Sequence, residues 1–247
     1  VPPTADQLQQ MKDLVRQAMR DGAVGLSTSL RYGPGSYAGT EEIVALASEI
    51  KRFGGFYATH MRDEADGVAQ SLEETFAIGQ AANVPVMISH HKCAGQKNHG
   101  RSIETLAMIE QARRHQSIGL DVYPYAASST MLDPERVGEV SKIIVTGSAT
   151  RPDVAGRDLD DIAAEMGCGR AEAATRLLPA GAVFFAMDED DVRRILAYPH
   201  TMVGSDGLPK DSHPHPRLWG TFPRVLGHYA RDTGLFSLEE AVRRMTS

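Results

Sequence analysis

Cysteine is scarce in this chain: two in 247 residues, Cys93 and Cys168, far apart and without a CxxC pair. That argues against a disulfide framework and suits a reducing, cytoplasmic setting. Long apolar runs are missing too. None approaches the ~20 residues a membrane-spanning helix needs, so no membrane partner is expected. There is no excess of positive charge. Twenty-six Lys and Arg against 32 Asp and Glu give a net charge of −6, with both signs interspersed. A nucleic-acid partner, which would need a basic footprint, is therefore not expected. The opening VPPTADQLQQ has neither the basic nor the apolar region of a secretion signal. Met is absent from the first position, which reads as a fragment or a processed product. The length nevertheless allows one large α/β domain with a sizeable core.

What is present alternates between helix and strand. Thr4 with Gln7 forms a capping box, followed by an apolar stripe at helical spacing that Gly22 ends. A buried strand over 22–28 opens into a Gly- and Pro-containing loop, and Thr40 can cap a helix to about Phe53. Strand-like runs then occur at 56–62, 84–92 and 117–125, separated by helices over about 65–82 and from a Ser102 cap onward. Residues 126–187 break this rhythm with a short strand at 142–146 and helices near 159–166 and 170–178. A helix from Asp188 to Ala197 leads to a last strand at 201–207. Helices over 222–231 and, with a Ser237/Glu240 capping box, 237–245 close the chain. Such alternation predicts a parallel sheet with right-handed crossovers. Five strands are fewer than the eight of a closed barrel. The chain thus divides into 1–125 with the first barrel strands, 126–187 as a small α/β insertion over the active site, and 188–247 with the last strand and its helices.

The stretch VPVMISHHK, 84–92, ends an apolar run in two histidines and a lysine. Alternation along a strand would put His90 and Lys92 on one face and His91 on the other. Thr59-His60-Met61-Arg62, Tyr123-Pro124-Tyr125 and Ser205-Asp206-Gly207 end other strands in the same way, and in a barrel such ends converge on one mouth. Two imidazoles, His60 and His90, with the carboxylate of Asp206 suit Zn²⁺. Each has a plainer alternative: hydrogen-bonded structural histidines, a turn aspartate before Gly207, and ordinary surface charges at Arg62, Lys92 and Arg217.

The motifs YATHMR, ISHHK, DVYPY, GSDG, HPHPRLWGTFPRVLGHYAR and GAVGLSTSLRYGPGSYAGTEE together resemble the N-acyl-D-amino-acid deacylases, or D-aminoacylases, of the amidohydrolase superfamily. The resemblance covers most of the chain. It implies a (β/α)₈ TIM barrel flanked by a small β-sandwich, and zinc-dependent hydrolysis of the amide of an N-acyl-D-amino acid. His60 and His90 match zinc ligands. Asp206 matches the aspartate that binds a second, weaker metal position and acts as general base. Lys92, Tyr123 and Arg217 match groups that hold the substrate α-carboxylate. The segment around Leu132–Val137 looks like the N-acyl-D-glutamate and D-aspartate branch, with Arg136 pairing the substrate's side-chain carboxylate; a solvated helix-start charge is the equal alternative.

Departures from the family pattern delimit the match. No His-x-His precedes His60, no early cysteine ligand is present, and the β-sandwich has no counterpart. The chain therefore resembles the C-terminal part of the catalytic barrel, about its last five strands, with roughly the first three missing. Such a piece would be an open half-barrel with exposed strand edges. Two rivals remain: a cyclic amidase of the dihydroorotase or hydantoinase kind, disfavoured because Gly25-Leu26-Ser27-Thr28 has no lysine to bridge metals, and an inactive truncated remnant.

Overall fold

Thr4 opens the first helix as expected. Its hydroxyl accepts the Gln7 N–H while the Gln7 side chain accepts the Thr4 N–H, completing the capping box of α1 (Ala5–Arg20). This computed structural model describes residues 2–209 and 212–246. Along the chain follow β1 (Gly25–Ser29), α2 (Thr40–Ala47), β2 (Phe56–His60), α3 (Val68–Ala82), β3 (Val86–Ile88), α4 (Ser102–Arg113) and β4 (Ile118–Val122). Then come β5 (Ser128–Met131), β6 (Ile143–Ser148), α5 (Leu159–Met166), α6 (Arg170–Leu177), β7 (Ala180–Phe184), α7 (Glu189–Ala197), β8 (Thr201–Val203), α8 (Arg217–Arg224) and α9 (Leu238–Thr246). No helix of the described residues is long and apolar enough to cross a membrane.

The chain forms two units. The first comprises residues 1–91, 101–122 and 198–202, and is built on a five-stranded sheet in the order β1-β2-β3-β4-β8. The pairings β1–β2, β2–β3 and β3–β4 are parallel, and this sequential order is that of a stretch of barrel wall. Tyr57, Ile88, Ile118 and Leu120 lie on one face and are at most 1% exposed. Burial of each large aliphatic side chain contributes about 2 kcal/mol. Helix α3 packs against β3 through Gly79, where a Cβ would stand 2.2 Å from a methyl of Val86. This close approach explains a glycine inside a helix, which is otherwise costly.

The second unit comprises residues 92–100, 123–197 and 203–247. Its sheet is antiparallel, in the order β5-β7-β6. Of its strands only β6 is legible in the sequence, together with the helices α5, α6, α7 and α9. Strand β5 (SSTM) is short and largely polar, and β7 (AGAVF) is apolar throughout, so neither alternates and neither carries a period-two signal.

Several local expectations are corrected. Gly39, not Thr40, precedes α2, and the Thr40 hydroxyl donates instead to Glu74 at 2.8 Å. Helix α2 continues as a 3₁₀ turn to Phe53 and stops at Gly54, φ +70°. Ser102 is the first residue of α4 and fully buried, not its cap. Helix α8 starts at Arg217, five residues before Phe222, and widens after Pro223 into a π-helical stretch over Val225–Asp232. Proline supplies no N–H to the preceding turn, so its position mimics a helix start in sequence. Strands β3, β4 and β8 all end earlier than the sequence suggests. His90, Lys92, Tyr123 and Asp206 therefore lie beyond strands, where strict alternation no longer applies.

Candidate metal centre

His60 is the last residue of β2, paired in register with Ser29 of β1. Its ring stands 5.2 Å from that of Tyr32 and 4.5 Å from that of His90, edge to face with the latter. The loop after β2 carries Glu64. The Asp63 carboxylate folds this loop by accepting the N–H groups of Ala65 at 2.7 Å and Gly67 at 3.1 Å. Arg101 pins its far side through the carbonyls of Ala65 and Asp66.

Glu64 faces both imidazoles. Its Oε2 lies 3.5 Å from His60 Nε2 and its Oε1 2.9 Å from His90 Nδ1. Ligand atoms of all three residues fall within 4.8 Å of one another. Two imidazole nitrogens and a carboxylate oxygen are a zinc donor set, and around a tetrahedral zinc with bonds near ~2.0–2.1 Å neighbouring donors sit about 3.3 Å apart. The two separations from Glu64, 2.9 and 3.5 Å, bracket that spacing. The carboxylate that meets the two histidines in this unit is thus Glu64, which the sequence reading passed over. The spacing His60-x-x-x-Glu64 was visible in sequence, but only the fold of the loop turns it back to the strand end.

Arg62, weighed as a surface charge, is a structural clamp. It donates twice to the Glu74 carboxylate at 2.9 Å and to the carbonyls of Ser36 and Ala38, tying the loop after β1 to α3. Burial pushes the Glu74 carboxyl up, but the Arg62 guanidinium outweighs it and holds it below the usual range.

The second unit gathers three of the residues expected to bind substrate. The Tyr123 ring has the Arg217 guanidinium over it at 4.5 Å and the Lys92 ammonium at 5.6 Å. Arg217 is 2% exposed. One of its terminal nitrogens donates to Ser129 O at 3.0 Å and lies 2.9 Å from Asp206 Oδ2. Its Nε is buried with no partner among the described residues. Asp206 has φ +46°, a left-handed conformation that aspartate tolerates better than most residues. Arg136 is not part of this cluster; its Nε faces Glu139 at 3.5 Å.

His215 Nδ1 accepts the Arg217 N–H at 2.9 Å and its ring stacks edge-on against Tyr125. Burial, followed by the Arg217 charge, lowers its pKa to about 4, so it is neutral near pH 7. The His213-Pro-His215 spacing is thereby accounted for structurally at its second histidine.

No family model matches the chain. Among curated proteins, a D-aminoacylase of Alcaligenes xylosoxydans xylosoxydans is 54% identical over 243 residues, 98% of this chain and 50% of that protein. An N-acyl-D-glutamate deacylase of the same organism is 46% identical over 99% of this chain and 50% of its own length. An N-acyl-D-glutamate deacylase from Bordetella bronchiseptica, solved with zinc and a phosphonate inhibitor, matches at TM-score 0.96 and 49% identity, covering 99% of this chain and 52% of that one. The chain spans about half the length of the curated relatives it matches.

Proposed function

Because this chain is homologous along nearly its whole length to one half of the N-acyl-D-amino-acid deacylases, we propose that it carries part of the catalytic site of a zinc-dependent amidohydrolase acting on N-acyl-D-amino acids. The observation that supports this most is the meeting of His60, Glu64 and His90. His60 and His90 would hold the tightly bound zinc, with Glu64 facing both. Asp206 would serve a second, weaker position. Bound zinc supplies Lewis acidity, polarising the scissile carbonyl and lowering the pKa of water.

The chain's own residues do the rest. Asp206 takes a proton from the attacking water as its oxygen bonds to the acyl carbon. It returns that proton to the nitrogen as the C–N bond breaks, leaving a carboxylate and a free D-amino acid. Arg217, Lys92 and Tyr123 hold the α-carboxylate, which fixes the configuration of the α-carbon against the reacting amide. Arg136 is the candidate for a substrate side-chain carboxylate, which favours N-acyl-D-glutamate or a similar acid. Strand β1 has no lysine for a carbamate bridge, so a cyclic amidase is the weaker reading. The cysteine pattern suits a cytoplasmic protein.

The test is zinc analysis of the purified protein with hydrolysis of N-acetyl-D- and N-acetyl-L-amino acids. Stoichiometric zinc and D-selective release of the amine are expected. Turnover that survives both metal removal and His90→Ala would refute the proposal.

A further inference from the structure

The end of β3 contains one residue more than the ladder allows. β3 pairs with β4 as Val86↔Ile118, Met87↔Gly119 and Ile88↔Leu120, and the Val86 N–H donates to Ser117 O at 2.9 Å. Such bonds advance two residues at a time on both strands, so the N–H that reaches Asp121 O should come from His90. It comes from His91, at 2.8 Å. On the other edge of β3, the Ser89 N–H still reaches Thr59 O of β2 at 3.1 Å, so the ladder is intact up to that residue. The extra residue is His90. Its φ of +41° is left-handed, a costly conformation for a residue with a Cβ. Its N–H, withdrawn from the ladder, donates to Oδ1 of Asp121 at 2.9 Å.

Inserted residues of this kind bend a strand and re-aim a side chain, often beside active sites. Here the re-aimed side chain is the imidazole that faces Glu64 at 2.9 Å and packs on His60. Asp121 is itself out of place by propensity, since aspartate is depleted in strands. It meets the displaced loop twice, by its carboxylate at His90 and by its carbonyl at His91.

We propose that Asp121 is the positioning residue of the metal site: its carboxylate holds the inserted His90 in its left-handed conformation and so aims the imidazole at His60 and Glu64. This rests on the zinc reading above. Without the carboxylate, the His90 N–H would lose its acceptor, and the turn would relax toward the regular ladder, in which residue 90 points to the opposite face.

The test uses the purified protein and four variants: Asp121→Ala, Asp121→Leu, Asp121→Asn and His90→Ala. Zinc affinity is read by chelator competition, the geometry of the site by the visible spectrum after cobalt substitution, and stability by thermal melting. Asp121→Ala and Asp121→Leu are expected to weaken zinc at least about tenfold and to alter the cobalt bands, whereas Asp121→Asn, which keeps an oxygen acceptor, stays within about twofold of the parent. Should Asp121→Ala fail to fold, the Leu and Asn pair decides the matter in the same way. Folded Asp121→Ala and Asp121→Leu proteins with parental zinc affinity and cobalt spectrum would overturn the proposal. So would an Asp121→Asn protein as weak as Asp121→Leu. Equal zinc binding by the parent and His90→Ala would overturn the zinc reading and this proposal with it.

Discussion

In the parallel unit, polar groups come together because of where strands end, whereas in the antiparallel unit they come together because of what is packed around them. His60 and His90 follow neighbouring strands of one sheet, and parallel strands bring their carboxyl ends side by side by construction. Arg217 has no such address. It begins a helix after an irregular loop, and it is held by a backbone carbonyl 88 residues earlier in the chain, an aspartate and a tyrosine ring. The first arrangement spends little core on its site; His60 and Glu64 stay partly exposed and only His90 is buried. The second encloses a guanidinium almost completely, a solvation cost that the Ser129 carbonyl, Asp206 and the Tyr123 ring offset while Nε has no partner among the described residues. The lesson is that topology can position ligands cheaply, whereas a buried cation needs many specific contacts.

That contrast can be broken or sharpened by measurement. The largest effect is expected for His60→Ala or His90→Ala. Each should release zinc to a chelator and lower kcat/KM by about 10³-fold, the several kcal/mol of transition-state stabilisation that a bound metal supplies, with little change in the melting temperature of the metal-free protein. Next comes Asp206→Asn, expected to lower kcat by about 10²-fold or more while the tightly held zinc remains in metal analysis. A parallel loss of both would mean that Asp206 holds the metal rather than moves a proton.

Arg217→Met tests the other side of the comparison. Besides the rise in KM that follows from its proposed hold on the α-carboxylate, the variant should lose about 2–3 kcal/mol in urea unfolding, the low end for a broken buried pair because Asp206 is 39% exposed. A stability change under ~0.5 kcal/mol would contradict the idea that packing defines this cluster.

His215 gives a pH signature of the same unit. Its pKa is about 4 in the fold, below the ordinary 6.5, so the unfolded chain binds the extra proton first as pH falls. The contribution to stability is complete above pH 6.5 and is lost on acidification toward pH 4, by about 2 kcal/mol between 6.5 and 4.5. A His215→Gln protein should lose that part of the slope in a series of melts. The smallest effect is expected at Arg136→Ala: a rise of about tenfold in KM for N-acyl-D-glutamate, with N-acyl-D-leucine unaffected, the size of one charge-assisted hydrogen bond. Equal changes for both substrates would remove Arg136 from side-chain recognition.

Much of the first unit was legible in sequence. Apolar runs ending in polar groups located all five strands of the parallel sheet, and with them His60 and His90. Glu64 escaped because a loop residue has no periodic signature. The direction of His90 escaped because one inserted residue reverses the alternation from which it was read. In the second unit, β5 and β7 were missed because β5 is a short, largely polar run and β7 is apolar without alternation, so neither has the period of a strand. Lys92, Tyr123 and Arg217 were marked by motif resemblance, while their gathering around one ring was not visible in any spacing.

By itself, the amino-acid order determined the alternation of helix and strand, the parallel sheet and the chemistry available at its strand ends, because hydrophobic periodicity and short-range capping are local properties. Only the tertiary structure decided which carboxylate faces the two imidazoles, where the ladder slips to turn His90, and which groups neutralise a buried guanidinium. Those outcomes depend on hydrogen bonds and packing between residues far apart in the chain, and no local pattern encodes them.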